Sequence, residues 1–200
     1  MTATMTHKER TRARILDEAA KAMREHGSEG IGVAALMKRA GLTHGGFYAH
    51  FKDRDDLVAH AIGRMFQDSG AMLEHHLGRA DAAAGLAALI DYYLSDDARR
   101  RTDGGCPLPG LSGESSRMPP AARTRFAQGI KAFQAALATG LAAIGAADPD
   151  NLAASVLAEM VGAMALARGL EDDAATTSLR ASREQLKRRI GLAGAAAAGA

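Results

Sequence analysis

The feature that most restricts the fold is an apolar stripe at helical spacing, made of Leu57, Val58, Ile62, Met65, Phe66, Ser69, Met72, Leu73 and Leu77. Spacings of three and four put these side chains on one side of an α-helix and would scatter them over both faces of a strand. Similar stripes recur along the chain: Ile15, Leu16, Ala19, Ala20 and Met23; Leu86, Leu89, Ile90 and Tyr93; Phe126, Ile130, Phe133, Leu137, Leu141 and Ile144; Leu152, Val156, Met160, Ala163, Met164 and Ala167. Strands favour aromatic and β-branched residues, whereas aromatics are 4 % here and Trp is absent. The expectation is an all-α protein of about nine helices.

Helix punctuation sets the boundaries. A first helix over about 7–26 ends at Gly27, and a second over about 33–40 ends at Gly41. Thr43 is a good N-cap for a third helix reaching about residue 50, and Asp53 caps the long fourth. A fifth covers about 82–94. The polar run from Arg99 to Gly105 reads as a loop, and Pro107, Pro109, Gly110 and Gly113 leave only a short or irregular helix after it. Pro119 and Pro120 restart the chain for a helix of about 25 residues. Asp148 before Pro149 looks like an N-cap and a first helical position, for a helix running to about 170. A last helix covers about 176–190. The tail 191–200, only Gly, Ala and Leu, is expected to be disordered.

The bulk properties narrow the function class. An apolar share of 47 % supports a real core. The single cysteine, Cys106, excludes an intramolecular disulfide and suits a cytoplasmic setting. The polar opening does not read as a signal peptide, and the apolar run 152–170 contains Glu159 and Arg168, so a buried helix is expected there rather than a membrane span. The net charge of +2 decides little, but Lys8, Arg10, Arg12 and Arg14 stand against Glu9 alone near the N-terminus. A basic arm of that kind suits a phosphate backbone, although a solvated helix start has the same composition.

The segment GIGVAALMKRAGLTHGGFYAHF, residues 30–51, carries the functional signal. Two short helices joined by a tight turn at Gly41 and Leu42 have helix-turn-helix geometry, in which the second helix enters the major groove by its N-terminal residues. His44, Gly45 and Gly46 lead that second helix. Two adjacent glycines cost roughly 1 kcal/mol each inside a helix, which a chain tolerates where something must approach the backbone closely. Thr43, Tyr48, His50 and Lys52 can donate to phosphates. Leu36, Leu42, Phe47 and Phe51 are apolar and would hold the head together. An ordinary αα-corner with a glycine-rich turn is the plainer alternative.

The run AGLTHGGFYAHFKDRDDLV closely resembles the DNA-binding domain of TetR-family repressors, in which a small residue, Gly, an aliphatic residue and Ser or Thr precede an aromatic pair and His-Phe. The specific resemblance covers about residues 8–60. Two positions depart from it. Gly32 stands where Ser or Thr usually caps the second helix, which would remove one phosphate contact, and Met37 stands where a small residue usually packs, which would widen the spacing of the two helices. The resemblance implies base-edge contacts from His44 and Gly45, and phosphate contacts from Thr43, Tyr48 and Lys52 with help from Arg10 and Arg12. His50 could equally be a satisfied surface histidine.

The resemblance also implies a helix-turn-helix domain over 1–52, a linking fourth helix from about 53, and a ligand-sensing and dimerisation domain over 53–190. It implies a homodimer on a pseudo-palindromic double-stranded operator, joined through the last two long helices, where Ala153, Ala154, Gly162, Ala163 and Ala167 would permit close packing. Such proteins hold a small-molecule inducer between central helices. Phe66, Met72, Tyr92, Tyr93, Met118, Phe126, Met160 and Met164 are candidate pocket residues, although such a stripe also serves as plain core. Adjacent Tyr92 and Tyr93 face different ways, so one of them should point inward. Cys106 is a candidate redox or electrophile sensor if it caps a helix beginning at Pro107 beside Arg99, Arg100 and Arg101, because both settings lower a thiol pKa. A Gly-Cys pair in this region also resembles some electrophile-sensing repressors of the family. Packing of a small buried residue is the alternative.

Other classes fit less well. Ser112, Ser115 and Ser116 lack a nucleophile-elbow pattern. His75 and His76 are adjacent and cannot share a helix face as metal ligands. No Gly-rich loop with Lys-Ser/Thr is present. Neither an enzyme nor a cofactor is expected. A helical protein-interaction module would not need the basic arm.

Overall fold

The computed structural model describes residues 5–30 and 32–192. The expectation for the tail 191–200 falls almost wholly outside them. The described residues form nine α-helices and two short 3-10 helices. The helices are α1 (His7–His26), α2 (Val33–Arg39), α3 (Arg54–Leu77), α4 (Ala82–Tyr93), α5 (Asp96–Arg100), α6 (Leu108–Leu111), α7 (Pro120–Ala143), α8 (Pro149–Ala167) and α9 (Asp172–Arg189). The 3-10 helices are His44–Ala49 and Ser112–Arg117.

Most helix starts follow local chemistry. Thr6 and Glu9 form a capping box on α1, with the Thr6 amide 2.7 Å from the Glu9 carboxylate and the Glu9 amide 3.2 Å from the Thr6 hydroxyl. Asp53, Asp81, Ser95 and Asp148 accept backbone amides at the starts of α3, α4, α5 and α8. Gly27 closes α1 at φ +81°.

The chain packs as two compact units, which do not follow a cut at residue 52. The first takes the chain up to 67 together with 102–129, because the returning segment packs with α1 through α6. Its core includes Ile15, Leu36, Met37, Phe47, Phe51, Ile62, Met65, Leu108 and Phe126. Glu114 accepts the amide and hydroxyl of Ser28, and Arg54 donates to the Ser28 carbonyl at 2.6 Å, so the loop before α2 is held from two sides. The second unit takes 68–101 and the chain from 130 onward. There α8 packs chiefly on α9, with α4 and α5 also against α9. Leu86, Leu89, Ile90, Phe133, Val156, Met160 and Leu186 are almost fully buried.

Several expectations need correction. The third helix is a 3-10 helix, not an α-helix, in keeping with adjacent glycines that weaken α propensity. Part of the predicted loop at 99–105 is helical: Ser95 caps α5, and Arg99 and Arg100 end it. The helix α8 stops at Ala167, before 170, and α9 starts at Asp172, before 176, because Glu171, Asp172 and Asp173 suit a helix start.

Candidate nucleic-acid interface

The head is assembled by α1, α2 and the 3-10 helix His44–Ala49. Between the last two, Gly41 adopts φ +66°. The Gly41 amide bonds to the Lys38 carbonyl at 3.0 Å and the Leu42 amide to that of Met37 at 2.9 Å, a Schellman closure that turns the chain sharply. Arg39 reaches Glu18 and Glu25, tying α2 to α1. Phe47 is 1 % exposed and stacks on Phe51 at 5.6 Å, so the inner face of the 3-10 helix is anchored in the core.

The outer face is left to solvent. Thr43, His44, Gly45, Tyr48 and Lys52 are exposed. The Thr43 hydroxyl makes no capping bond. Tyr48 is 67 % exposed, with its ring edge-on to both His44 and Phe47. A Cβ added at Gly45 would meet nothing within 4 Å, and one at Gly46 would meet only Met37 and Thr43 at 3.7 Å. Neither glycine has a positive φ. The fold itself therefore does not require glycine at either place. Met37 is fully buried beneath this helix, its methyl facing the Gly46 backbone. Gly32 opens α2 without a side-chain cap, as its lack of a hydroxyl dictates.

The first turns of α1 lie beside the end of the 3-10 helix. His7, Lys8, Thr11 and Arg14 line a cleft of about 430 Å³ together with Leu42, Ala49 and His50. Lys8 and Arg14 belong with the candidate contacts, though motif matching singled out Arg10 and Arg12. Arg10 folds back to the Met5 carbonyl at 2.6 Å, and Arg12 lies 4.8 Å above the Phe51 ring. His50 is half-buried, and its Nδ1 has no hydrogen-bond partner. Burial, and next the positive charge of Lys8 and Arg12, push its pKa below the usual histidine range, so it is neutral near pH 7.

The candidate pocket residues are divided between the units. Phe66, Met118 and Phe126 lie in the first, where Phe66 and Phe126 meet edge to face at 5.5 Å. Met72, Tyr92, Tyr93, Met160 and Met164 lie in the second. Of the two tyrosines, Tyr93 is buried and Tyr92 half-buried, with the Tyr92 ring 5.1 Å from that of buried His76.

Cys106 does not cap a helix. Pro107 occupies the N-cap of α6, and Leu108 is its first residue. The thiol residue is buried. Arg99 and Arg100 are each bonded to both Asp96 and Asp172. The helix N-cap setting is therefore absent at Cys106, and two of the neighbouring arginines are committed to carboxylates.

Sequence comparison follows the same architecture. The pattern described as bacterial regulatory proteins of the tetR family matches residues 15–61, and that of the tetracyclin repressor-like C-terminal domain matches residues 82–182. Comparison with curated proteins gives no match. Among solved structures, a TetR transcriptional regulator from Chloroflexus aurantiacus is 27 % identical, with a TM-score of 0.81 over 94 % of this chain and 97 % of that one. A TetR-family regulator from Cytophaga hutchinsonii is 20 % identical, with a TM-score of 0.82 over 94 % and 96 %. The reduced form of Escherichia coli NemR is 21 % identical, with a TM-score of 0.80 over 90 % and 96 %. The last two likenesses concern the fold alone. With both family patterns matched over most of its length, the chain belongs to the TetR family of bacterial regulatory proteins and is a DNA-binding transcriptional regulator.

Proposed function

We propose that the chain is a homodimeric cytoplasmic repressor that leaves a pseudo-palindromic operator when a small apolar inducer binds. The observation that carries the DNA contact is the glycine-led 3-10 helix, exposed on one face and anchored by Phe47 on the other, beside Lys8 and Arg14. Thr43, Tyr48, Lys52, Lys8 and Arg14 hold phosphates, with Arg10 and Arg12 behind them. His44 and the bare backbone of Gly45 meet base edges. Two such helices in a dimer would read half-sites roughly 34–36 Å apart.

The outward row of α8 supports dimerisation. Ala153, Ala163 and Ala167 are buried within this chain, so they serve its own packing. Ala158, Ala165 and Leu166 instead face solvent on α8, Leu166 being 71 % exposed, and a Cβ at Gly162 would meet nothing within 4 Å. A small-residue row with one leucine suits close approach of a second copy of α8. Although α8 is long and apolar enough to cross a membrane, its other row packs on α9 and α4. The inducer is taken among Met72, Tyr92, Tyr93, Met160 and Met164, with the unpartnered Nδ1 of His76 beside Tyr92 as a polar handle.

Fluorescence anisotropy on labelled DNA from upstream of the protein's own gene tests this reading. Tight binding that weakens steeply from 50 to 200 mM salt is expected. A Leu166→Glu variant should run as a monomer on gel filtration and lose tight binding. A salt-insensitive complex, or none on any promoter fragment, would reject the reading.

A further inference from the structure

A second cleft of the first unit, about 450 Å³, lies along α1 where the first half of α3 and Arg125 of α7 close it. Three guanidinium groups line it, and they are held differently. Arg64 is fixed by Asp17 at 3.0 Å. Arg12 stacks on Phe51 and makes no ion pair among the described residues. Arg125 is exposed and has neither an ion-pair nor a hydrogen-bond partner among the described residues. Its guanidinium lies over Gly63, where an added Cβ would sit 3.2 Å from Nη1. The missing side chain therefore leaves room for the arginine to approach α3 at the edge of the cleft that it lines.

The opposing charges are already engaged. The carboxylate of Glu9 is bonded to the Thr6 amide and hydroxyl. His60 is held by Asp56 at 3.1 Å. Two charged arginines without a carboxylate partner remain above half-buried Ala13 and Leu16, which give the floor an apolar strip. A planar guanidinium with free donors selects a carboxylate or phosphate bidentately. The nearby Glu9 and Asp17 disfavour a dianion, and the apolar strip asks for an organic body. The volume is within the usual range for a small-molecule site.

We propose that this cleft binds a small organic monoanion, a carboxylate on a short apolar or aromatic body, with Arg125 as the main headgroup ligand. Its main ligand, Arg125, is not among the DNA-contacting residues and its lining shares none of the inducer residues of the second unit, while Arg12 borders both the cleft and the phosphate-contacting arm.

Isothermal titration calorimetry of the full chain tests it, using sodium benzoate and, in parallel, inorganic phosphate at equal ionic strength. Saturable benzoate binding is expected, with phosphate weaker. Arg125→Gln should weaken benzoate at least tenfold, Arg125→Lys should fall between, and the exposed Arg117→Gln control should match the parent. Thermal melts of each variant at the parent Tm establish that the fold is intact. No saturable benzoate heat, equal affinity in Arg125→Gln, or phosphate bound at least as tightly as benzoate overturns the proposal.

Discussion

Basic side chains behave in opposite ways in the two units. In the second, several are committed to carboxylates: Arg99 and Arg100 to Asp96 and Asp172, Lys187 and Arg183 to Asp91, and Arg189 to Glu159. In the reading head, Lys8, Arg14 and Lys52 have no such partner among the described residues, although Arg39 and Arg54 nearby are paired. Composition is therefore a poor guide to where a polyanion binds. What distinguishes the head is that Lys8, Arg14 and Lys52 stay uncompensated on the reading side while Arg39 and Arg54 tie its elements together.

The largest effect should come from removing that difference. Replacing Lys8, Arg14 and Lys52 together by Gln should lower the slope of log affinity against log salt by about 3, at roughly 0.9 per phosphate contact. Asp172→Asn, which disturbs the paired cluster of the second unit, should leave that slope unchanged and lower Tm slightly. If the second variant altered the slope as much as the first, the contrast would fail. Next, His44→Ala should relax base preference at one operator position by roughly 1–3 kcal/mol, read by anisotropy on a panel of single-base variants.

Gly45→Ala sharpens the contrast between what the fold needs and what DNA needs. The site is open and φ is negative, so thermal unfolding should show a gain of about 0.4–1 kcal/mol while operator affinity falls. A gain in both would mean that DNA does not approach this backbone.

The smallest effect concerns pH. Burial lowers the pKa of His50 in the first unit and of His76 in the second. Below pH 6.5 the unfolded chain then binds more protons than the folded one, so stability is full above that pH. It declines as pH falls through 6.5 toward the lowered folded values. Denaturant titrations between pH 7.5 and 5.5 should show that decline, and the double variant His50→Gln, His76→Gln should flatten it.

The helical framework was legible because its signals are local. Gly27 and Gly41, Asp53 and the Asp148-Pro149 pair act within one turn of their own position, and each ends or starts a helix where expected. The Thr6–Glu9 capping box is a signal of the same local kind. The motif from Gly41 to Phe51 placed the exposed Thr43, His44, Tyr48 and Lys52 on one short element for the same reason. Cys106 shows the limit of such reasoning. Its sequence neighbours suggested an N-cap beside arginines, but Pro107 takes the cap, and Arg99 and Arg100 belong to Asp96 and Asp172, the latter more than seventy residues away.

By itself, then, the sequence determined the helix order, the sharp turn of the head and the family, since apolar period, capping residues and turn glycines operate over a few residues. Only the tertiary structure decided which cations stay unpaired, that Lys8 and Arg14 rather than Arg10 flank the reading helix, and that Ala153 and Ala163 face inward while Leu166 faces out. Those outcomes depend on which residues distant in sequence come within a few ångströms. Ion pairing and burial respond to distance in space, and no local pattern encodes it.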